Sequence, residues 1–150
     1  MIIVFLRFDI CYLAKADMLS MDDFTYNEVL DLWISERKFL NYNIEVRLYC
    51  SKKDDFQQLA TKAVNDVELH WESLKVAIIE ELLPQYLDHA SKEINGEAFF
   101  SKLTMETIDL DAIDIMYTMY FADGGMFGGH GIQVLWDPEE DFSADVSLVG

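Results

Sequence analysis

The chain has 150 residues, 51% hydrophobic and 13% aromatic, with 11 Lys plus Arg against 28 Asp plus Glu. That length makes one domain, able to bury about 70% of its unfolded surface without disulfide or metal staples, and the apolar content excludes a disordered acidic tail. A formal charge of −17 excludes a protein that grips nucleic-acid phosphates or anionic lipid, because both tasks need clustered Lys and Arg; it suits a basic partner.

The chain opens with a short apolar run, Ile2 to Leu6, followed by Arg7 and Asp9. It is too short to span a membrane, and its positive charge follows the apolar stretch where a signal peptide would place it before. Ile2–Phe8 reads as a strand and residues 1–16 as a peripheral strand or leader. The whole of residues 1–150 reads as a single cytoplasmic domain. Cys11 and Cys50 have no Cys or His neighbours at zinc spacing, so two thiols in a reducing compartment are expected, with no metal and no cofactor.

Phe24–Tyr26 and Leu30–Ser35 read as short strands. Asn43–Cys50 is clearer: Ile44, Val46, Leu48 and Cys50 take one face, and Glu45, Arg47 and Tyr49 the other. That period belongs to a sheet with one face on a core and one in water. A long helix follows, opened by Asp54 with Gln57 at capping-box spacing. Ala60, Val64, Val67, Trp71, Leu74 and Ile78 form one apolar stripe along it, extended by Leu82 and Leu83. Pro84 lacks a backbone donor and predicts a kink or restart there, with short helices over Tyr86–Lys92 and Glu97–Leu103. Three or four strands are then expected over Thr107–Asp111, Ile113–Phe121, Gly131–Trp136 and Phe142–Leu148. In the second of these Ile113, Ile115, Tyr117, Met119 and Phe121 share a face. The expected architecture is α+β: strands, then helices, then strands, making an antiparallel sheet with a long, proline-interrupted helix on one face.

The loop Ala122–Gly131 is rich in glycine, but no Lys-Ser/Thr follows and the next segment alternates as a strand. It reads as a turn that needs positive φ, not as a phosphate loop, although a nest of its amides could hold an anion. His130 stands on that loop with Asp123 placed to orient its ring. No nucleophile motif accompanies it, so no catalytic residue is assigned and no enzyme is expected. The acidic residues fall in groups: Asp17, Asp22 and Asp23; then Glu106, Asp109, Asp111 and Asp114; then Asp137, Glu139, Glu140, Asp141 and Asp145. None has calcium-loop spacing. Together they read either as solvated faces or as a field that steers a basic partner.

Phe24-Thr-Tyr-Asn27, Trp33, Ile44-Glu-Val-Arg-Leu-Tyr49, Glu80-Glu-Leu-Leu83, Gly129-His-Gly-Ile132, Ala144-Asp-Val146 and Gly150 together resemble a bacterial domain-of-unknown-function family, catalogued as 2262. The resemblance covers residues 24–150. It implies a strand–strand–helix–strand–strand domain similar to immunity proteins encoded beside polymorphic toxins, with no catalytic residue to carry over. The expected function is then to bind a cognate basic toxin, a nuclease, and occlude it. Asp109, Asp111, Asp114, Asp137, Glu139, Glu140 and Asp141 are the expected partner-binding residues, with Tyr117, Tyr120 and Trp136 as candidate anchors. The alternatives are a phage-type inhibitor that imitates nucleic acid, and a small enzyme or ligand-binding domain using the His130 loop.

Overall fold

The computed structural model of the protein describes residues 23–50, 57–111, 113–114, 116–139 and 143–150. Three strands come first: β1 (Thr25–Asn27), β2 (Leu32–Phe39) and β3 (Tyr42–Tyr49). Helices α1 (Gln57–Leu69), α2 (Trp71–Leu87) and α3 (Gly96–Phe100) follow. The chain closes with β4 (Thr104–Asp111), β5 (Met116–Ala122), β6 (Gly131–Trp136) and β7 (Ala144–Val149). The strands form one seven-stranded sheet in sequence order. The domain is therefore α+β but dominated by strands: among the described residues three precede the helices and four follow them, as the individual segments read, where the order implied by the resemblance was two and two. The expected strand at Ile2–Phe8 and the Asp54 cap lie outside the described residues.

The sheet is not wholly antiparallel. β3 and β4 run parallel while every other neighbouring pair is antiparallel. The reason lies in the connection, since parallel neighbours need a long crossover and α1 to α3 supply one. The core is the sheet face beneath that crossover. There Val46, Ile108, Met119, Val134 and Val146 stand in a row across five strands, and all are buried. A register shift between Met105 and Thr107 lets Met105 and Ile108, three apart, both face this core, as a bulge allows.

The helical stripe is where it was expected, but its interruption is not. Ala60, Ala63 and Val67 of α1 and Leu74, Ile78 and Leu82 of α2 are buried. The break falls at His70 (φ −101°, ψ 13°), whose ring Nδ1 lies 2.9 Å from the carbonyl oxygen of Asp66. That carbonyl still accepts the His70 backbone N–H at 3.1 Å, so the ring adds a second contact to an intact bond of the ladder. Pro84 instead sits inside α2, which runs on to Leu87. Pro84 and Glu80 are both exposed, so water can satisfy the carbonyl that the proline leaves without a donor. The expected helix over Tyr86–Lys92 is only the last turn of α2. α3 is shorter than expected and is capped by Asn95, whose side chain accepts from the Ala98 N–H at 2.8 Å. Trp71, half-buried, joins this layer to the sheet through ring contacts with Phe39, Tyr42, Phe100 and Phe121.

Candidate functional site

The second face of the sheet carries no helix among the described residues. Its side chains line up in register. One row runs Ile34, Arg47, Asp109, Thr118, Leu135 and Asp145 across β2 to β7, and the next runs Glu36, Glu45, Thr107, Tyr120, Gln133 and Ser147. Near the strand ends, Tyr49, Asp111 and Met116 make a third row. Alternation in β3 thus reads correctly: Glu45, Arg47 and Tyr49 are the outer set.

Asp109 lies at the centre of this face and is only 8% exposed. Burial pushes its carboxyl up from the ordinary value, against the pull of the Arg47 guanidinium and of the Thr107 and Tyr49 hydroxyls. Tyr49 donates its hydroxyl to Asp109 Oδ2 at 3.2 Å. Arg47 turns along its own strand to Glu45, with Nε and Nη2 at 2.9 and 2.8 Å from Oε2. Among the described residues Asp109 Oδ1 and Thr107 Oγ1 meet no hydrogen-bond partner. Asp109 is thus a buried structural carboxylate in a polar cluster rather than an exposed contact. On the same face Gln133 donates to the Tyr120 hydroxyl at 2.8 Å.

The other expected partner-binding residues gather at one end of the sheet. Asp111 pairs with Met116, Tyr117 with Trp136, and Trp136 with Ala144, so the β4–β5 and β6–β7 turns project from the same edge. Asp111 accepts from the Ile113 N–H at 2.8 Å and Asp137 from the Glu139 N–H at 2.9 Å; each shapes its own turn. Asp114 and Glu139 are exposed. Glu140 and Asp141 lie outside the described residues. Because Trp33 pairs with Leu48 and Asn27 with Leu32, the β1–β2 turn with Glu28 and Asp31 emerges at this end too. Seven strands about 4.8 Å apart make this end roughly 25–30 Å wide. From Leu103 to Gly150, across β4 to β7, the chain has ten carboxylates and no Lys or Arg.

Two of the three candidate anchors are core residues. Tyr117 is 1% and Trp136 2% exposed, with their rings in contact at 5.4 Å. The Tyr117 hydroxyl donates to Asp66 Oδ2 at 2.7 Å; burial first, and this carboxylate second, raise its pKa strongly. Both side chains point under the crossover, which alternation alone could not distinguish from the outer face. Tyr120 is on the outer face and half-buried.

At the opposite end of the sheet, the glycine loop does need positive φ, at Gly124, Gly125, Gly128 and Gly129. Its amides hold an anion, and the anion is part of the chain. Asp123 accepts from the N–H groups of Gly125, Phe127 and Gly129 at 2.8, 2.7 and 3.0 Å. Burial opposes its ionisation, but these donors outweigh burial and hold the carboxyl below its ordinary value. Asp123 therefore does not orient His130, as the spacing suggested. His130 Nδ1 lies 2.7 Å from the carbonyl oxygen of Phe127, so that nitrogen carries the proton and donates. A pocket of about 610 Å³ beside it is lined by Tyr86, His89, Met126, Phe127, His130 and Leu148, among others.

No cluster of three or more metal-ligating side chains occurs among the described residues, and no helix among them is long and apolar enough to cross a membrane. Residues 18–145 match the model of a bacterial family described as "Uncharacterized protein conserved in bacteria (DUF2262)", and the chain belongs to that family. The match starts before Phe24 and stops within β7, so the terminal Gly150 lies outside it. Nothing matches among the curated proteins or the solved structures.

Proposed function

We propose that this protein is an acidic, cytoplasmic immunity-type protein that neutralises a basic toxin domain by covering the surface the toxin uses on its substrate. The observation that carries this reading is the charge of the chain from β4 through β7, a continuous stretch with ten carboxylates and no Lys or Arg. Such a field attracts a cationic partner at long range and repels nucleic acid. Exposed Asp114 and Glu139, with Asp111 and Asp137 at the bases of their turns, are the carboxylates that such a partner reaches first. A nuclease fits because its own substrate site is built of Lys and Arg, so blocking that site and binding these carboxylates are one event.

The test is co-expression with the product of the neighbouring reading frame. Growth arrest by that product, relieved by this protein, is the expected result. Replacing Asp114 and Asp137 by Asn and Glu139 by Gln should weaken the relief. A neighbour that is harmless, or relief that is indifferent to all three substitutions, overturns the reading. A nucleic-acid mimic would instead inhibit unrelated nucleases to similar extents.

A second reading is favoured by the pocket at His130. Its volume is that of a small-molecule site, and two imidazoles share its lining with aromatic and aliphatic side chains. A ligand-binding or enzymatic role there requires that His130→Gln abolish function in a protein that still folds.

A further inference from the structure

Turns that serve only to reverse the chain are built from polar residues and glycine, because an apolar side chain there stays in water. The acidic end of the sheet departs from this. In the β1–β2 turn Val29 is 93% exposed and Leu30 is also exposed; in the β4–β5 turn Ile113 is 87% exposed; Leu69, the last residue of α1, is 79% exposed. Tyr49 and Met116, in the outermost row of the open face, are exposed as well. Leu69 belongs to the same end, since the ring of the next residue, His70, lies 4.9 Å from that of Trp136 at the end of β6. The exposed large apolar residues elsewhere are Leu40, in the β2–β3 turn, and Val76 and Leu87, at the middle and the end of α2.

We infer that this end is a docking surface anchored by apolar contacts, whose partner presents aliphatic or aromatic side chains flanked by Lys and Arg. The inference rests on the reading of the protein as a binder of a basic partner and gives that partner its surface chemistry. Apolar residues from separate turns, singly costly in water, become useful only when one surface covers them together. The rim decides what covers them. Glu28 and Asp31 share the turn of Val29 and Leu30, Asp114 shares that of Ile113, Glu139 stands in the adjacent β6–β7 turn, and all four are exposed; neither these turns nor β4 to β7 contain a Lys or Arg. Two copies of such a rim would repel each other, whereas a ring of cations would meet it. Central apolar anchors within a polar rim are the usual anatomy of a specific interface.

The probe is a synthetic amphipathic Leu/Lys peptide, with an oligolysine of equal charge and a Leu/Glu peptide as controls, titrated into the full chain. The Leu/Lys peptide should bind, and its binding should survive a rise to about 1 M salt that removes the oligolysine, because salt screens the rim but not the apolar contact. The Val29→Ser, Ile113→Ser double variant should bind Leu/Lys at least tenfold more weakly and oligolysine unchanged. A benzophenone side chain in place of Ile113 should cross-link to the Leu/Lys peptide on illumination. Leu/Lys binding by the double variant that equals that of the wild type, or a cross-link that joins the chain to itself or to a second copy, overturns the inference. If the peptide results hold while the neighbouring product proves harmless, the surface stands and the toxin reading falls.

Discussion

The two ends of the sheet use the same residue type in opposite ways. At the glycine-loop end, Asp123 is buried and its two oxygens take three backbone N–H groups. Its charge is spent inside the loop. At the other end, Asp111 and Asp137 each take a single N–H from their own turns, while Asp114 and Glu139 are exposed, leaving most of this charge facing outward. Similar aspartate-containing turns therefore differ in purpose: one carboxylate is a structural anion, the others form a field.

The largest test of this difference is Asp123→Ala. Hydrogen bonds to a charged group are worth about 1.5–3 kcal/mol each, and water can replace some of those lost from a loop, so a loss of roughly 2–4 kcal/mol is expected by urea unfolding. Asp137→Ala should cost under about 1 kcal/mol, since it orphans one exposed N–H. Equal losses would erase the distinction between the ends.

A sharper test stays within the glycine loop. Gly124 and Gly125 both have positive φ, but a Cβ on Gly124 would stand 2.3 Å from the Lys102 carbonyl oxygen, whereas on Gly125 it would meet nothing within 4 Å. Gly125→Ala should cost about 1–2 kcal/mol from left-handed strain alone. Gly124→Ala should add a further clash of about 1–3 kcal/mol. Denaturant midpoints for the two variants measure the difference.

pH separates Asp123 from Asp109 by sign. The carboxyl of Asp123 is held below its ordinary value of 3.8, so its stabilisation is present above that value and fades as pH falls through the folded pKa. The carboxyl of Asp109 is raised above 3.8; its contribution is present below that value and is lost as pH rises through the folded pKa. Urea midpoints from pH 2.5 to 7 should show wild type losing its advantage over Asp123→Asn on acidification. Asp109→Asn should instead gain on wild type as pH rises above about 4. Parallel curves for both variants would contradict the two environments.

A small effect is also expected at His130. Its described hydrogen bond is the one to the Phe127 carbonyl at 2.7 Å, so His130→Gln should change stability by no more than about 1.5 kcal/mol and leave neutralisation within a few-fold. Loss of neutralisation in a folded variant would move the working end of the molecule to the glycine loop.

Local pattern was legible wherever one residue's surroundings settled the outcome. Alternation in Asn43–Cys50 sorted Val46 from Arg47 correctly, and the strand Gly131–Trp136 was read to the residue. The glycines between Asp123 and His130 were read correctly as positive-φ positions, because glycine there answers a backbone requirement and no distant contact. Legibility stopped where the chain had to choose between equal local options. Alternation from Ile113 to Phe121 continues smoothly through a place where the strand has not begun; Ile113 stands in the turn, and no neighbour in sequence marks the boundary. The helix stripe was plain, but its break falls at His70 and not at the more conspicuous Pro84.

The sequence by itself determined the acidic charge, the α+β class, the apolar stripe of the helical layer and the positive φ of the glycine loop. Each follows from composition or from a period of two to four residues, and so from interactions within a few positions along the chain. Only the tertiary structure decided that β3 and β4 run parallel, that Asp123 accepts the amides of its own loop, and that the turns of Val29 and Ile113 emerge at the same end of the sheet as Leu69, Asp114 and Glu139. Those outcomes depend on strand register and on which side the crossover covers. Register is fixed by the packing of whole faces against one another, so residues more than sixty positions apart, such as Arg47 and Asp109, become neighbours for reasons that no local stretch of the sequence contains.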